Sequence, residues 1–269
     1  MREKQKKGNG SVVGDIVLIV AVLVFLFSVY KLYTIYSEYR KGEKEYEEVI
    51  DQVIVLEEVD VKEEETDEKG KPEEKEIFTV DFEKLQKMNK EAVAWLRFEN
   101  PKKISYPVVH AEDNSKYLKR TFEGRTNTAG TLFVDAYNDG DFSDRNTFIY
   151  GHNMKNGSMF GQLRKYKSAE FCKENPYFYV YTPDGKEAKY EVFAVGIVED
   201  TDKSYNKFFE NDEEYEEYLK HIQKVSRYSS GIEVTAQSQI VSLSTCTNVT
   251  ETQRLLVHGV KISETTVGE

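Results

Sequence analysis

The sequence is short of cysteine. Its 269 residues include two, Cys172 and Cys246, and no CxxC pair. That pattern excludes the usual structural zinc frameworks. A single bridge is the most that two cysteines allow, and both are expected to be free thiols. Net positive charge is also missing. The formal charge is −11, which argues against a nucleic-acid partner, since such partners are met with basic surfaces. No internal repeat is evident, which removes solenoid architectures. No small-x-small cleavage site follows the long N-terminal apolar run; the residues there, KLYTIYSEYR, are bulky and charged. The run is therefore read as an uncleaved anchor. No cofactor and no metal ion is expected.

What is present is unevenly distributed. Residues 1–11 are basic and read as a cytoplasmic tail. Val12 to Tyr33 is almost uninterrupted apolar sequence, long enough for the roughly 20 residues that a bilayer needs. Arg2, Lys4, Lys6 and Lys7 precede it and acidic residues follow it. The positive-inside rule then gives a single-pass protein in the cell membrane, N-terminus cytoplasmic and the remainder extracellular. Residues 34–76 read as a stalk and acidic linker. Tyr46, Val49, Ile50, Val53 and Ile54 recur at helical spacing there. Residues 41–80 hold 16 acidic and 6 basic side chains, so most of the negative charge describes a solvated, self-repelling connector.

A globular domain is expected over residues 77–262, with 263–269 as a C-terminal tail. Asp81 can cap a helix through about Asn89. Strands are expected at 92–98, 106–110, 130–135, 147–150, 178–182, 189–199, 232–234, 239–243 and 255–260, the last two from the runs QIVSL and LLVHGV. Pro183-Asp184-Gly185 is a hairpin signal. Asn211 to Val225 reads as a capped amphipathic helix, with Tyr215, Tyr218, Leu219, Ile222 and Val225 as its buried stripe. The 13% aromatic content suits such a core. The fold class is mainly β: short strands closing into a barrel, with helical decorations.

Ser242-Leu243-Ser244-Thr245-Cys246 sits at the end of one expected strand, and Arg254 opens the next. A hairpin of the two brings a thiol and a permanent cation to one rim. Tyr150-Gly151-His152-Asn153 follows another apolar strand and supplies an imidazole. Cysteine is a nucleophile as thiolate, which a nearby cation favours. A Cys/His pair can attack a carbonyl and protonate the leaving amine. An arginine across from the thiol can stabilise the oxyanion. The other candidates have ordinary readings. His258, inside an apolar strand, is a core histidine; His110 and His221 are structural or exposed; Cys172, in SAEFCKEN, is a buried bystander. Asp135 and Asp139, in DAYNDGDFSD, read as a solvated turn rather than a Ca²⁺ loop.

NTFIYGHN, SLSTC and the downstream QRLLVHG together resemble the sortase transpeptidases, which carry TLxTC, a following arginine and an upstream histidine. Ser242 stands where the family usually has threonine. The resemblance covers roughly residues 78–262. The helix at 211–225, the helix and strand DFEKLQKMNKEAVAWLRF and the stretch NSKYL are similar to class B. The resemblance implies a sortase-type eight-stranded β-barrel with an N-terminal helix and an inserted helix before the last two strands, beside the N-terminal transmembrane helix. It implies a membrane-anchored cysteine transpeptidase that cleaves an NPxTx- or LPxTG-type sorting motif after threonine. A thioacyl-enzyme then passes the protein to a cell-wall amine. By that similarity Cys246 is nucleophile, His152 general acid/base and Arg254 oxyanion and substrate stabiliser. Asn114, Leu118, Tyr150, Ser244 and Thr245 would bind the sorting signal. The implied partners are surface proteins with a C-terminal sorting signal, a lipid II-type peptidoglycan amine and the cell membrane. Thr247 and Asn248 follow the thiol where some relatives carry an acid, so the group that orients His152 is left open. A pilus-polymerising sortase and a non-catalytic membrane-tethered module are the alternatives. The first usually has an Asp-Pro-aromatic lid, not found in this sequence; the second predicts loss of one of the three groups, and all three are present.

Overall fold

An apolar run without proline satisfies its backbone internally, and the first element is accordingly a long helix, α1 (Gly10–Val53). The computed structural model describes residues 10–59 and 75–267. The chain divides into two units, Met1–Lys41 and Gly42–Glu269. In the first, α1 carries its apolar side chains outward: Val17, Phe25 and Leu32 are each more than 60% exposed. This is one helix long and apolar enough to cross a membrane.

In the second unit the end of α1 buries one face. Of the stripe expected in the stalk, Tyr46, Val49 and Val53 are buried, Ile50 is half-buried, and Ile54 leaves the helix to open a strand. Strand β1 (Ile54–Val59) pairs antiparallel with β2 (Lys75–Val80). Asp81 ends β2 and caps α2 (Phe82–Met88), its carboxylate accepting from the Lys84 amide at 2.9 Å.

Eight further strands close a barrel: β3 (Ala92–Phe98), β4 (Ser105–His110), β5 (Leu132–Val134), β6 (Asn146–Tyr150), β7 (Tyr177–Tyr181), β8 (Lys186–Glu199), β9 (Ile240–Cys246) and β10 (Gln253–Thr266). Around it they run β10, β8, β7, β3, β4, β5, β6, β9, and β9 pairs with β10 to close it. Two contacts are parallel, β4 with β5 and β6 with β9. Trp95, Phe98, Phe148 and Phe178 are among the side chains with almost no exposure that fill the core. Pro183-Asp184-Gly185 makes the β7–β8 turn, where Gly185 takes φ +79° and its amide bonds the Thr182 carbonyl.

Short α3 (Ala169–Glu174) buries Cys172. Helix α4 (Asp212–Val225) lies between β8 and β9. Asn211 caps it, its side chain accepting from the Glu214 amide at 2.8 Å, and Asp212, Glu213 and Glu214 complement the first-turn dipole. Its stripe of Tyr215, Tyr218, Leu219 and Ile222 packs on Phe193, Ala194, Ile240 and Val260. The strand expected at 232–234 is extended coil. A closed barrel offers no free edge there, and Ile232 and Val234 instead pack onto the α4 cluster, past Gly231 at φ +78°. The aspartate-rich turn also departs from expectation at one residue: Asp135 is 1% exposed, while Asp139 is on the surface.

Candidate active site

Register explains why three distant residues meet. Strands β6 and β9 are parallel, with Tyr150 opposite Ser244. The Gly151 amide extends the ladder, bonding the Ser244 carbonyl at 3.1 Å. His152 and Cys246 each lie two residues beyond that pair, so two parallel strands end side by side and deliver both to one rim. Strand β10 runs back antiparallel, with Arg254 paired directly to Cys246. Asn153 ties the ends together: its side-chain amide donates to the Cys246 carbonyl at 2.8 Å, and Asn248 donates to the Asn153 carbonyl at 3.0 Å.

All three groups open on one cleft of about 430 Å³. The five residues matched to a sorting-signal pocket, Asn114, Leu118, Tyr150, Ser244 and Thr245, line it as well. Cys246 is a half-buried free thiol, and Cys172 is free and buried.

The imidazole of His152 is oriented by main chain. Its Nε2 lies 2.6 Å from the Leu118 carbonyl. A carbonyl only accepts, so Nε2 carries the proton and Nδ1 is left to exchange one. Leu118 therefore fills the place for which the residues after the thiol held no carboxylate. The His152 carbonyl accepts from the Phe160 amide at 2.9 Å. Gly130 packs against the ring: a Cβ there would sit 3.1 Å from His152 Cδ2 and 2.6 Å from the Tyr117 carbonyl, and its φ is +61°. Only glycine gives that turn its close approach.

Arg254 is held rather than free. Nη1 donates to the Glu251 and Gln253 carbonyls at 2.7 and 3.2 Å, and Nη2 to Asp200 at 3.2 Å. Those bonds use three of the five guanidinium donors. They fix the planar group at the cleft, where a developing oxyanion can use the remainder.

The cleft wall also holds Asp135, Tyr205 and Lys207, to which the sequence assigned no role in the site. Asp135 accepts from the Tyr150 hydroxyl at 2.7 Å and the Tyr137 amide at 3.0 Å, and pairs with Lys207 at 3.3 Å. Asn114 joins the same carboxylate at 3.3 Å and accepts from the Ala136 amide at 2.8 Å. Tyr205 and Ser244 share a 2.8 Å hydroxyl–hydroxyl bond. Burial pushes the Tyr205 hydroxyl up to about 12. Burial, with the Asp135 charge behind it, drives Tyr150 further upward, so both phenols keep their protons at neutral pH. Beside the thiol, the buried Thr245 hydroxyl has no partner among the described residues. Asp135 was visible only as part of a polar turn, and Tyr205 and Lys207 lie in a segment without a motif.

Strand ends that gather a thiol, an oriented imidazole and a guanidinium on one cleft form a site equipped for acyl transfer through cysteine. The same architecture is found in known proteins. The family model described as Sortase domain matches residues 100–262, and the chain belongs to the sortase family of cysteine transpeptidases. Sortase B of Listeria monocytogenes is 37% identical over 164 residues, covering 60% of this chain and 65% of that protein, so the matched stretch spans just under two thirds of that relative. Sortase B of Staphylococcus aureus is 31% identical over 184 residues, 67% of this chain and 74% of that protein. The crystal structure of sortase B from Bacillus anthracis in complex with AAEK1 superposes with a TM-score of 0.69 at 32% identity, covering 85% of this chain and 100% of that one.

Proposed function

We propose that this chain is a membrane-anchored transpeptidase that sorts surface proteins to the cell wall. The observation that carries the reading is the joint register of β6, β9 and β10, which brings His152, Cys246 and Arg254 to one rim. Cys246 passes its thiol proton to His152 Nδ1, and Sγ attacks the carbonyl of the threonine in an NPxTx- or LPxTG-type sorting motif. Arg254 N–H groups take up the negative charge that develops on oxygen. His152, held by Leu118, protonates the leaving amine as the peptide bond breaks, and the thioacyl-enzyme forms. An amine of a lipid II-type peptidoglycan precursor then attacks the thioester. His152 accepts its proton and Cys246 is released. Asn114, Leu118, Tyr150, Ser244 and Thr245 hold the motif in the cleft.

The anchor is Val12–Tyr33, whose length at 1.5 Å per residue is about 33 Å and matches a hydrocarbon core. Basic residues 1–11 stay in the cytoplasm, the acidic connector within 34–76 lies outside, and the catalytic domain of residues 77–262 faces the wall. The test is cleavage of fluorogenic NPxTx and LPxTG peptides by the full chain in detergent. Cys246→Ala and His152→Ala are expected to be inactive. A Cys246→Ala protein that still cleaves overturns the reading.

A further inference from the structure

The last turns of α1 reach the two segments that hold His152. Tyr46 is 4% exposed, and its hydroxyl donates to the Gly130 carbonyl at 2.6 Å, lying also 3.2 Å from Thr131 Oγ1. Gly130 is the residue packed against the His152 ring and against the Leu118 carbonyl that receives its Nε2 proton. On its other side the Tyr46 ring meets Tyr106 edge-on, with centroids 5.2 Å apart. The Tyr106 hydroxyl accepts from the Met159 amide at 3.1 Å, and the next amide, Phe160, holds the His152 carbonyl. Neighbouring side chains act on the same two segments. Glu45, 2% exposed, accepts from the Glu123 amide at 3.0 Å and pairs with Arg125 at 3.3 Å. Glu43 accepts from Asn156 at 3.0 Å.

We infer that Tyr46 is a positioning residue for His152, so that one side chain of α1 acts on the catalytic imidazole and the helix is not only a tether. A hydroxyl that fixes the Gly130 carbonyl fixes the turn, the turn fixes the Leu118 carbonyl, and that carbonyl selects the Nε2-protonated imidazole. The inference rests on the transpeptidase reading for its kinetic consequence, and on geometry alone for its effect on the ring.

Tyr46→Phe keeps the ring against Tyr106 and removes the hydroxyl. A misplacement of 1 Å costs about 100-fold; a turn loosened but still packed is expected to lower kcat about 10-fold, with KM for the sorting peptide within about twofold. The same full-length protein, labelled with ¹⁵N-histidine in detergent micelles, reports the ring directly. The His152 Nε2–H signal is expected to exchange faster in Tyr46→Phe than in the unsubstituted chain. Val49→Ala, on the same buried face, is expected to lower Tm while leaving kcat and the His152 signal unchanged. An unaltered kcat and an unaltered His152 signal in Tyr46→Phe overturn the inference. So does a Val49→Ala protein with the same losses, because helix docking in general is then responsible. If the unsubstituted chain cleaves no sorting peptide, the transpeptidase reading fails by itself and the His152 signal still decides the role of Tyr46.

Discussion

Replacing Asp135 with Asn removes a charge without removing volume. The native carboxylate is 1% exposed and meets Tyr150, Lys207, Asn114 and the Tyr137 amide. In Asp135→Asn the carbonyl oxygen can keep the Tyr137 amide. The new NH₂ group then faces three donors: the Tyr150 hydroxyl, the Lys207 ammonium and the Asn114 amide. Removing one partner of a buried ion pair costs about 3–5 kcal/mol. Two features pull the figure to the lower end: the Lys207 side chain keeps 17% exposure, and the Tyr150 hydroxyl can rotate to accept. We therefore expect a loss of about 3 kcal/mol, which for a domain of this size lowers Tm by roughly 6–12 °C. Thermal unfolding followed by circular dichroism measures it. Asp135→Asn combined with Lys207→Met removes both charges, and is expected to lose at least about 1 kcal/mol less than the sum of the single variants. A Tm drop under about 2 °C, or strict additivity, refutes an ion-paired Asp135 in the cleft wall.

Arg254→Lys keeps the positive charge but loses the fork that reaches Glu251, Gln253 and Asp200 together; steady-state kinetics are expected to show kcat/KM lower by about 10²–10³-fold, the usual cost of an oxyanion donor. Burial lowers the His258 imidazole to about 3, so it is neutral in the folded barrel at every pH above that. Unfolded, it takes a proton below about 6.5, so its contribution is intact above pH 6.5 and is lost as pH falls toward 3. Between pH 6.5 and 5 this amounts to about 2 kcal/mol, read as the difference in urea unfolding between the native chain and His258→Gln; parallel pH profiles contradict it.

Most barrel strands were legible because each is a short buried run bounded by turn residues, β8 and β10 only in their buried parts, and α4 because its cap and tyrosine stripe agree. The stripe Tyr46, Val49 and Val53 was legible as a helix face but not as a docked one: amphipathicity says that a face is buried, never against what. Tyr46 finds its acceptor 84 residues away. Cys246, His152 and Arg254 were readable as chemistry through the resemblance carried by SLSTC, NTFIYGHN and QRLLVHG, with their strand-end positions in support. Their support was not. The group that orients His152 is a main-chain carbonyl, which leaves no trace in side-chain sequence. Asp135 looked like one of several turn aspartates, since Lys207 and Tyr150 reach it only once β5 and β6 pair and the 200–211 connection folds over them. The stretch 232–234 misled for the opposite reason, because its apolar alternation serves a helix rather than a sheet edge.

The most direct measurement is the mass of the full-length protein after brief exposure to a sorting-motif peptide, followed by mapping of the modified residue. A transpeptidase working through this rim carries the N-terminal part of the peptide, up to and including threonine, as a thioester on Cys246, and an added amine nucleophile discharges it. Peptide cleavage with no adduct on Cys246, or with an adduct on any other residue, contradicts that mechanism.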